Sequence, residues 1–216
     1  MKKQIFTLFS VLFFVVAVAV FALLSNGSVA AEQPVENVYW FWDSANPTGS
    51  ASLVRNPSGI SADFQSSGLP GSQAVTLWFI FFNHPENCTT DPCTLPDDLF
   101  TPGVDGDFHL ASGHVTGNGQ SGFGGHLSVG DVSGSGRAEL GAGAVPLTNP
   151  EGAEVILAIH SHGPALTGPD LQYQISAFLG GCDVFNGPNG FAAGPWDVPD
   201  AVGECSTIQY ALFQVD

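Results

Sequence analysis

Six histidines, His84, His109, His114, His126, His160 and His162, stand in a chain that carries only four Lys or Arg residues. The tightest spacing among them is His160-Ser161-His162. Residues i and i+2 of a β-strand project from one face, so two imidazoles at this spacing can grip one metal ion. His114, on a neighbouring strand if its hairpin packs there, would supply a third ligand, with Asp107 or His109 adding a carboxylate or another imidazole. Such a set suits copper or zinc. The competing reading is of ordinary surface or hydrogen-bonding histidines, because Gly163-Pro164 directly after the pair predicts that His162 ends a strand and faces solvent.

Calcium is a second candidate, since Asp97-Asp98, Asp105-Gly106-Asp107, Asp197 and Asp200 put hard carboxylates into loops. None has the spacing of an EF-hand, and loop aspartates also serve simply as turn formers. Motifs for catalysis are missing: there is no Gly-x-Ser-x-Gly elbow and no His-Glu-x-x-His, and a phosphate loop needs a lysine. Acidic residues abound, yet nothing singles out a pair for glycoside hydrolysis. Aromatic rings offer a different chemistry. Tyr39-Trp40-Phe41-Trp42, with Trp78 and Trp196, can build a platform on which sugars stack. Alternation sets Tyr39 and Phe41 against Trp40 and Trp42 and predicts that at least one pair is buried. Trp196, among Gly194, Pro195 and Asp197, is the ring expected to be exposed.

The compartment follows from the first residues. Lys2 and Lys3 precede an apolar run from Ile5 to Leu24, and Ser28-Val29-Ala30-Ala31 supplies small residues for cleavage. Residues 1–31 therefore read as a secretory signal helix, with the mature chain starting at Ala31 or Glu32. The run is long for a signal, so an uncleaved N-terminal anchor is the alternative. Beyond it the sequence predicts no contact with a membrane. The mature chain keeps Arg55 and Arg137 as its only Lys or Arg residues against 20 Asp and Glu, a net charge of −18. Nucleic acid is excluded as a partner, because binding it depends on cations that neutralise phosphate.

All four cysteines, Cys88, Cys93, Cys182 and Cys205, lie in the mature chain, and an even count in an exported protein predicts disulfides. Of the three possible pairings, Cys88–Cys93 closes a tight Cys-Thr-Thr-Asp-Pro-Cys loop and Cys182–Cys205 staples a longer loop rich in Gly and Pro. A structural zinc site is the rival use of four cysteines. No Cys-x2-Cys knuckle is present, and an oxidising compartment favours the disulfides.

The elements that must position these groups are short strands. Gly59 to Gln65 alternates with Ile60, Ala62 and Phe64 on one face; Gln73 to Asn83 is apolar on both faces and reads as a central strand. His84 to Val104 is a loop broken by four prolines. Asp107 to Thr116 and Ser121 to Ser128, joined by Gly117-Asn118-Gly119, read as a β-hairpin, and Val129 to Val145 as a Gly/Ser-rich connection. Further strands are expected at Val38 to Trp42, Ala51 to Arg55, Glu151 to Ser161 and Cys205 to Val215. Leu171 to Leu179 reads as a weaker strand or short helix, and Gly180 to Gly203 as loop. About eight strands and no convincing helix after the signal predict one all-β domain over 32–216. Its expected form is an antiparallel β-sandwich, Ig-like or CHRD-like, or else a partly open barrel.

Several segments together resemble a family of secreted bacterial proteins of unknown function. They are Gly68-Leu69-Pro70-Gly71, Phe82-Asn83-His84-Pro85-Glu86-Asn87-Cys88, Ser112-Gly113-His114-Val115, Phe123-Gly124-Gly125-His126-Leu127, Asn149-Pro150-Glu151-Gly152-Ala153-Glu154-Val155, Ser161-His162-Gly163-Pro164 and Phe178-Leu179-Gly180-Gly181-Cys182. The resemblance covers most of the mature chain and implies an extracytoplasmic β domain without a known activity. The Gly-Leu-Pro-Gly turn, the apolar strand and His-x-His before Gly are also similar to the CHRD domain, although here the His pair follows the Gly-rich segment. The expected function is non-catalytic: a binding or cell-surface structural domain whose partner is an extracytoplasmic protein or a polysaccharide. The alternative is a metal-binding protein, copper or zinc or calcium, built on the His-x-His pair.

Overall fold

The computed structural model describes residues 33–186, 192–193 and 203–215; the signal segment, Trp196, Asp197 and Asp200 lie outside them. The chain is all-β. Eight strands form one antiparallel sheet: β1 (Val35–Trp40), β2 (Asp43–Asn56), β3 (Gly59–Leu69), β4 (Gln73–Phe82), β5 (Gly106–Val115), β6 (Gly119–Ser128), β7 (Glu154–Pro164) and β10 (Gly203–Phe213). Their order is β5-β4-β7-β10-β1-β2-β3-β6. A short β8 (Cys182–Asn186) runs parallel to β10, and the two-residue β9 (Ala192–Ala193) pairs with β8. Two helices are brief, α1 (Gly136–Glu139) and α2 (Gly168–Gln174).

The sheet curls into a partly open barrel, and alternation along each strand builds two cores. Val75, Leu77, Phe79 and Phe81 of β4 join Leu157 and Ile159 of β7, Leu53, Ile60, Phe64 and Phe123 inside the barrel. The intervening residues Trp78, Ile80 and Phe82, with Ile156 and Ala158, face outward into a second apolar layer. That layer is roofed by the loop from His84 to Val104 and by Phe178, Leu179 and the Cys182–Cys205 bridge. This is why β4 and β7 are apolar on both faces while β3 alternates. Side chains fill the inside of the barrel.

The structure corrects one connection. β5 and β6 are joined by Thr116 to Asn118, yet they do not pair: β5 pairs with β4 and β6 with β3, so the two lie at opposite edges of the sheet. The predicted hairpin is the seam of the barrel. Part of the β5 edge is instead bonded to the connection after β6, Leu110 N donating to Gly134 O and His109 bridging Ser135. Side chains still meet across the seam, since a Cβ on Gly125 would come within 2.8 Å of the Ala111 Cβ. Smaller differences also follow from tertiary pairing. The weak strand at Ala51 is the end of a fourteen-residue β2 held by β1 and β3. The expected loop from Gly180 contains β8, held by β10, and Leu171 falls in the helix α2.

The two arginines are consumed internally. Arg55 donates to the carbonyls of Pro150, Ala153 and Phe213, and Arg137 to those of Leu99 and Gly106. Arg137 also lies over the Phe100 ring, 5.1 Å from its centroid. Among the described residues no helix is long and apolar enough to cross a membrane.

Candidate functional site

β7 carries His160 and His162 on the outward face it shares with Ile156 and Ala158, under the roof rather than in solvent. Both imidazoles are buried, His160 at 1% and His162 at 0% exposure. The expectation that His162 ends a strand at the surface is overturned: β7 continues to Pro164, and α2 with its following turn covers it. Their rings are 4.7 Å apart and nearly perpendicular, and His160 also stacks on Phe178. His162 is held at both nitrogens. Trp78 Nε1 donates to Thr76 Oγ1 at 2.7 Å, Thr76 Oγ1 lies 2.9 Å from His162 Nε2, and His162 Nδ1 donates to Gly180 O at 2.8 Å.

The third partner expected from sequence is elsewhere. Val75 pairs with His114 on one side and with Ser161 on the other, so His114 shares the face of Ser161 and not that of His160 and His162. Its ring stacks on Phe123 at 4.2 Å. What the fold brings to the His-x-His pair is sulfur. Cys182 and Cys205 are bonded to each other, as are Cys88 and Cys93. The Cys182 and Cys205 sulfurs lie 3.6 and 4.0 Å from His162 Nδ1. Nothing in the spacing of the cysteines and histidines reveals this meeting, because it depends on β8 running beside β10 and β10 beside β7.

Burial strips both imidazoles of water and disfavours their charged forms, so His160 is held well below the usual histidine range and His162 is pushed down to about 4. In the unfolded chain a histidine takes its proton near pH 6.5. Between those values the unfolded state binds more protons, so stability falls as pH drops from 6.5 towards 4. His162→Gln should remove up to about 1.4 kcal/mol per pH unit of this slope. Denaturant midpoints for wild type and variant from pH 7 to pH 4.5 measure it; parallel lines would refute it.

Among the other sequence candidates, Asp98, Asp107 and His109 are buried and hydrogen-bonded within the fold. Asp107 and His109 are fully buried at the seam. Asp107 Oδ2 accepts from Ser135 Oγ and Val145 N, both at 2.7 Å, and Oδ1 accepts from Phe108 N and Arg137 N. His109 Nε2 donates towards Asp107 Oδ2 and Val145 O. Asp98 is likewise buried, accepting from the backbone and hydroxyl groups of Thr89 and Thr94 beside the Cys88–Cys93 loop. Protein donors thus occupy the Asp98 and Asp107 oxygens, two of the carboxylates expected to face calcium. His126 bonds Ser61 Oγ, and His84 sits near Glu86 at the surface.

The aromatic segment is distributed differently from expectation. Trp78 is buried in the outer layer. Tyr39 and Phe41 pack against Tyr210 on the outside of the sheet, 6.2 and 4.7 Å between centroids. Trp40 shares the inward face of Val38 and packs against the end of the barrel core. Trp42, in the turn between β1 and β2, stacks on Trp40 with centroids 4.7 Å apart and planes 21° apart. Neither pair is fully buried, and Trp42 is 69% exposed. Gly68, beside this pair, adopts φ 81°, a left-handed conformation that favours glycine; a Cβ there would only touch the Trp40 ring, at 3.4 Å.

Two hollows on the outer surface are lined by described residues. An apolar cavity of about 40 Å³ lies between Trp78, Phe108, Phe178 and His160. It has the room of about three waters and is too small for a sugar ring. A polar groove of about 550 Å³ runs beside the Cys88–Cys93 loop, with Glu86, Asp91 and Glu154 on its walls. Glu154 is engaged there by Cys93 N at 2.8 Å, and burial raises its pKa above the usual carboxylate range. No family model, curated protein or solved structure matches this chain.

Proposed function

We propose that the protein is an extracytoplasmic, non-catalytic domain that binds a neutral polysaccharide through Trp42. The observation that carries this reading is an indole left 69% exposed while its other face is braced on Trp40. A ring held flat in this way offers a π face to the C–H face of a pyranose without first losing conformational freedom. Its support is rigid, because Trp40 is in turn packed on the barrel core. Large exposed apolar residues elsewhere, such as Val35, Phe100, Val132 and Tyr173, come from separate segments. A protein partner would require a contiguous patch, whereas a sugar requires one flat ring and polar neighbours.

Charge narrows the polymer. A chain of net charge −18 without its signal repels acidic polysaccharides and leaves neutral ones. The signal segment and the resemblance to secreted β domains support export, and two disulfides fit an oxidising compartment. Release after cleavage, rather than retention by the apolar run, suits a domain that meets polymers outside the cell.

Sedimentation with insoluble cellulose, chitin and purified cell walls tests the reading. Wild-type protein should be retained on at least one polymer, and Trp42→Ala should weaken retention about tenfold, or about 1.4 kcal/mol. Stability of the variant should change by less than about 0.5 kcal/mol, as expected for an exposed ring. Protein that binds none of these polymers, or a variant that binds as well as wild type, would reject the proposal.

A further inference from the structure

His160, His162, Cys182 and Cys205 converge from three strands into one buried cluster. Their ligand atoms all lie within 4.8 Å of one another. The four residues are at 0 to 1% exposure, and none of them belongs to the Trp42 platform. With the disulfide closed, the cluster offers only two imidazoles. With the disulfide opened, it offers two imidazoles and two thiolates, the donor set of a tetrahedral structural zinc site.

The spacing matches that use. Zinc bonds of about 2.0–2.1 Å to nitrogen and 2.3 Å to sulfur give tetrahedral edges of about 3.3–3.8 Å. His162 Nδ1 already stands 3.6 and 4.0 Å from the two sulfurs. The sulfurs must part to roughly 3.8 Å once their bond is gone, and the wider spacings of the cluster, up to 4.8 Å, must close around the metal. Orientation is provided as well. Thr76 Oγ1 lies 2.9 Å from His162 Nε2 and is itself fixed by Trp78 Nε1, the kind of outer partner that holds a metal-bound imidazole in place. Since a hydroxyl both donates and accepts, Thr76 Oγ1 can accept a hydrogen bond from Nε2–H when Nδ1 turns from Gly180 O to a metal. Charge balances too. One Zn²⁺ with two thiolates and two neutral imidazoles is neutral, which suits a pocket walled by Trp78 and Phe178.

We propose that these four residues form a redox-gated zinc site, which binds Zn²⁺ when the Cys182–Cys205 bond is reduced and releases it when the bond forms. A dithiol reductant supplies two electrons and two protons, breaking the S–S bond and becoming a disulfide itself. The two thiols so formed give up those two protons as zinc binds. Oxidation by a disulfide oxidant removes two electrons from the thiolates, restores the S–S bond and returns Zn²⁺ to solution, while the oxidant becomes a dithiol with two protons from water. The metal is thus held in one redox state only.

The test uses the exported, untagged chain and its Cys88→Ser/Cys93→Ser variant, in which Cys182 and Cys205 are the only cysteines. Each is reduced anaerobically with dithiothreitol until thiol titration is complete, then freed of reductant and titrated with Zn²⁺ and with Co²⁺. The expected result is one metal per chain in both reduced proteins and none in the oxidised ones. Cobalt should show thiolate charge transfer and the intense visible bands of a tetrahedral site, and reoxidation should release the metal. His160→Gln and His162→Gln, verified as folded by their melting transitions in the oxidised state, should each lose uptake at least tenfold. Four results would overturn the proposal: no uptake after complete reduction, equal uptake by oxidised protein, uptake unchanged in both histidine variants, or a reduced chain that unfolds and does not refold with zinc.

Discussion

Asp107→Ala lowers the free energy of unfolding by about 3–5 kcal/mol at neutral pH, the cost of removing one partner from a buried, hydrogen-bonded charge cluster. The substitution leaves Ser135 Oγ and the Val145 and Arg137 amides without their acceptor at the barrel seam. Burial opposes ionisation of this carboxyl, but hydrogen bonds from His109, Val145 N, Ser135 and Phe108 N outweigh it and hold its pKa below the usual carboxylate value. The stability it contributes is therefore present above the unfolded-state value near pH 4 and is lost as pH falls through the lower folded value. Urea unfolding of wild type and Asp107→Ala at pH 7 and across the acid limb measures both effects. A variant within 1 kcal/mol of wild type would show that the seam is held by packing alone. Asp107→Asn, which preserves shape and one acceptor, should recover part of the loss.

Loss of the Cys182–Cys205 bridge comes next in size. By the loop-entropy relation, Cys182→Ala/Cys205→Ala should cost about 3 kcal/mol, and Cys88→Ala/Cys93→Ala about 2 kcal/mol. The order follows from sequence separations of 23 and 5 residues. The first double variant also removes two side chains from the outer apolar layer, which adds to its cost. Guanidinium midpoints of the two variants decide the matter. If the short loop proves the more important staple, the entropic ranking fails and the roof over β4 depends on the Cys88–Cys93 turn.

The sequence displays the strands because their signals are local. Alternation in β3 and the doubly apolar run of β4 report which faces are covered, and both appear in the structure as read. The disulfide pairing is legible for a similar reason, since a five-residue separation favours the short loop. Pairing partners are not local. The Gly117-Asn118-Gly119 turn has the composition of a hairpin, yet Leu110 N bonds Gly134 and leaves β5 and β6 as edges. The candidate metal cluster shows the same limit. His160 and His162 attract notice through their spacing, but Cys182 and Cys205 reach them only through strand order, while His114 is turned to the other face by register. Trp42 and Trp40 are alternate positions of one aromatic run. Which ring is left to solvent is set by where β1 ends, and sequence alternation alone does not reveal that end.

The unpaired seam also bears on how the protein can be damaged. A barrel closed by a continuous ladder has no edge to offer another chain, but this one retains two, and part of the β5 edge is bonded to the Gly/Ser-rich connection through Gly134 and Ser135. That connection includes the exposed residues Val129, Gly130, Val132 and Ser133. A protease that cuts there would cleave a surface loop and, by the same cut, loosen the guard on a strand whose other side is already committed to the sheet. The nicked molecule would then recruit strands from its neighbours, so proteolysis of this domain should be followed by self-association before it is followed by unfolding.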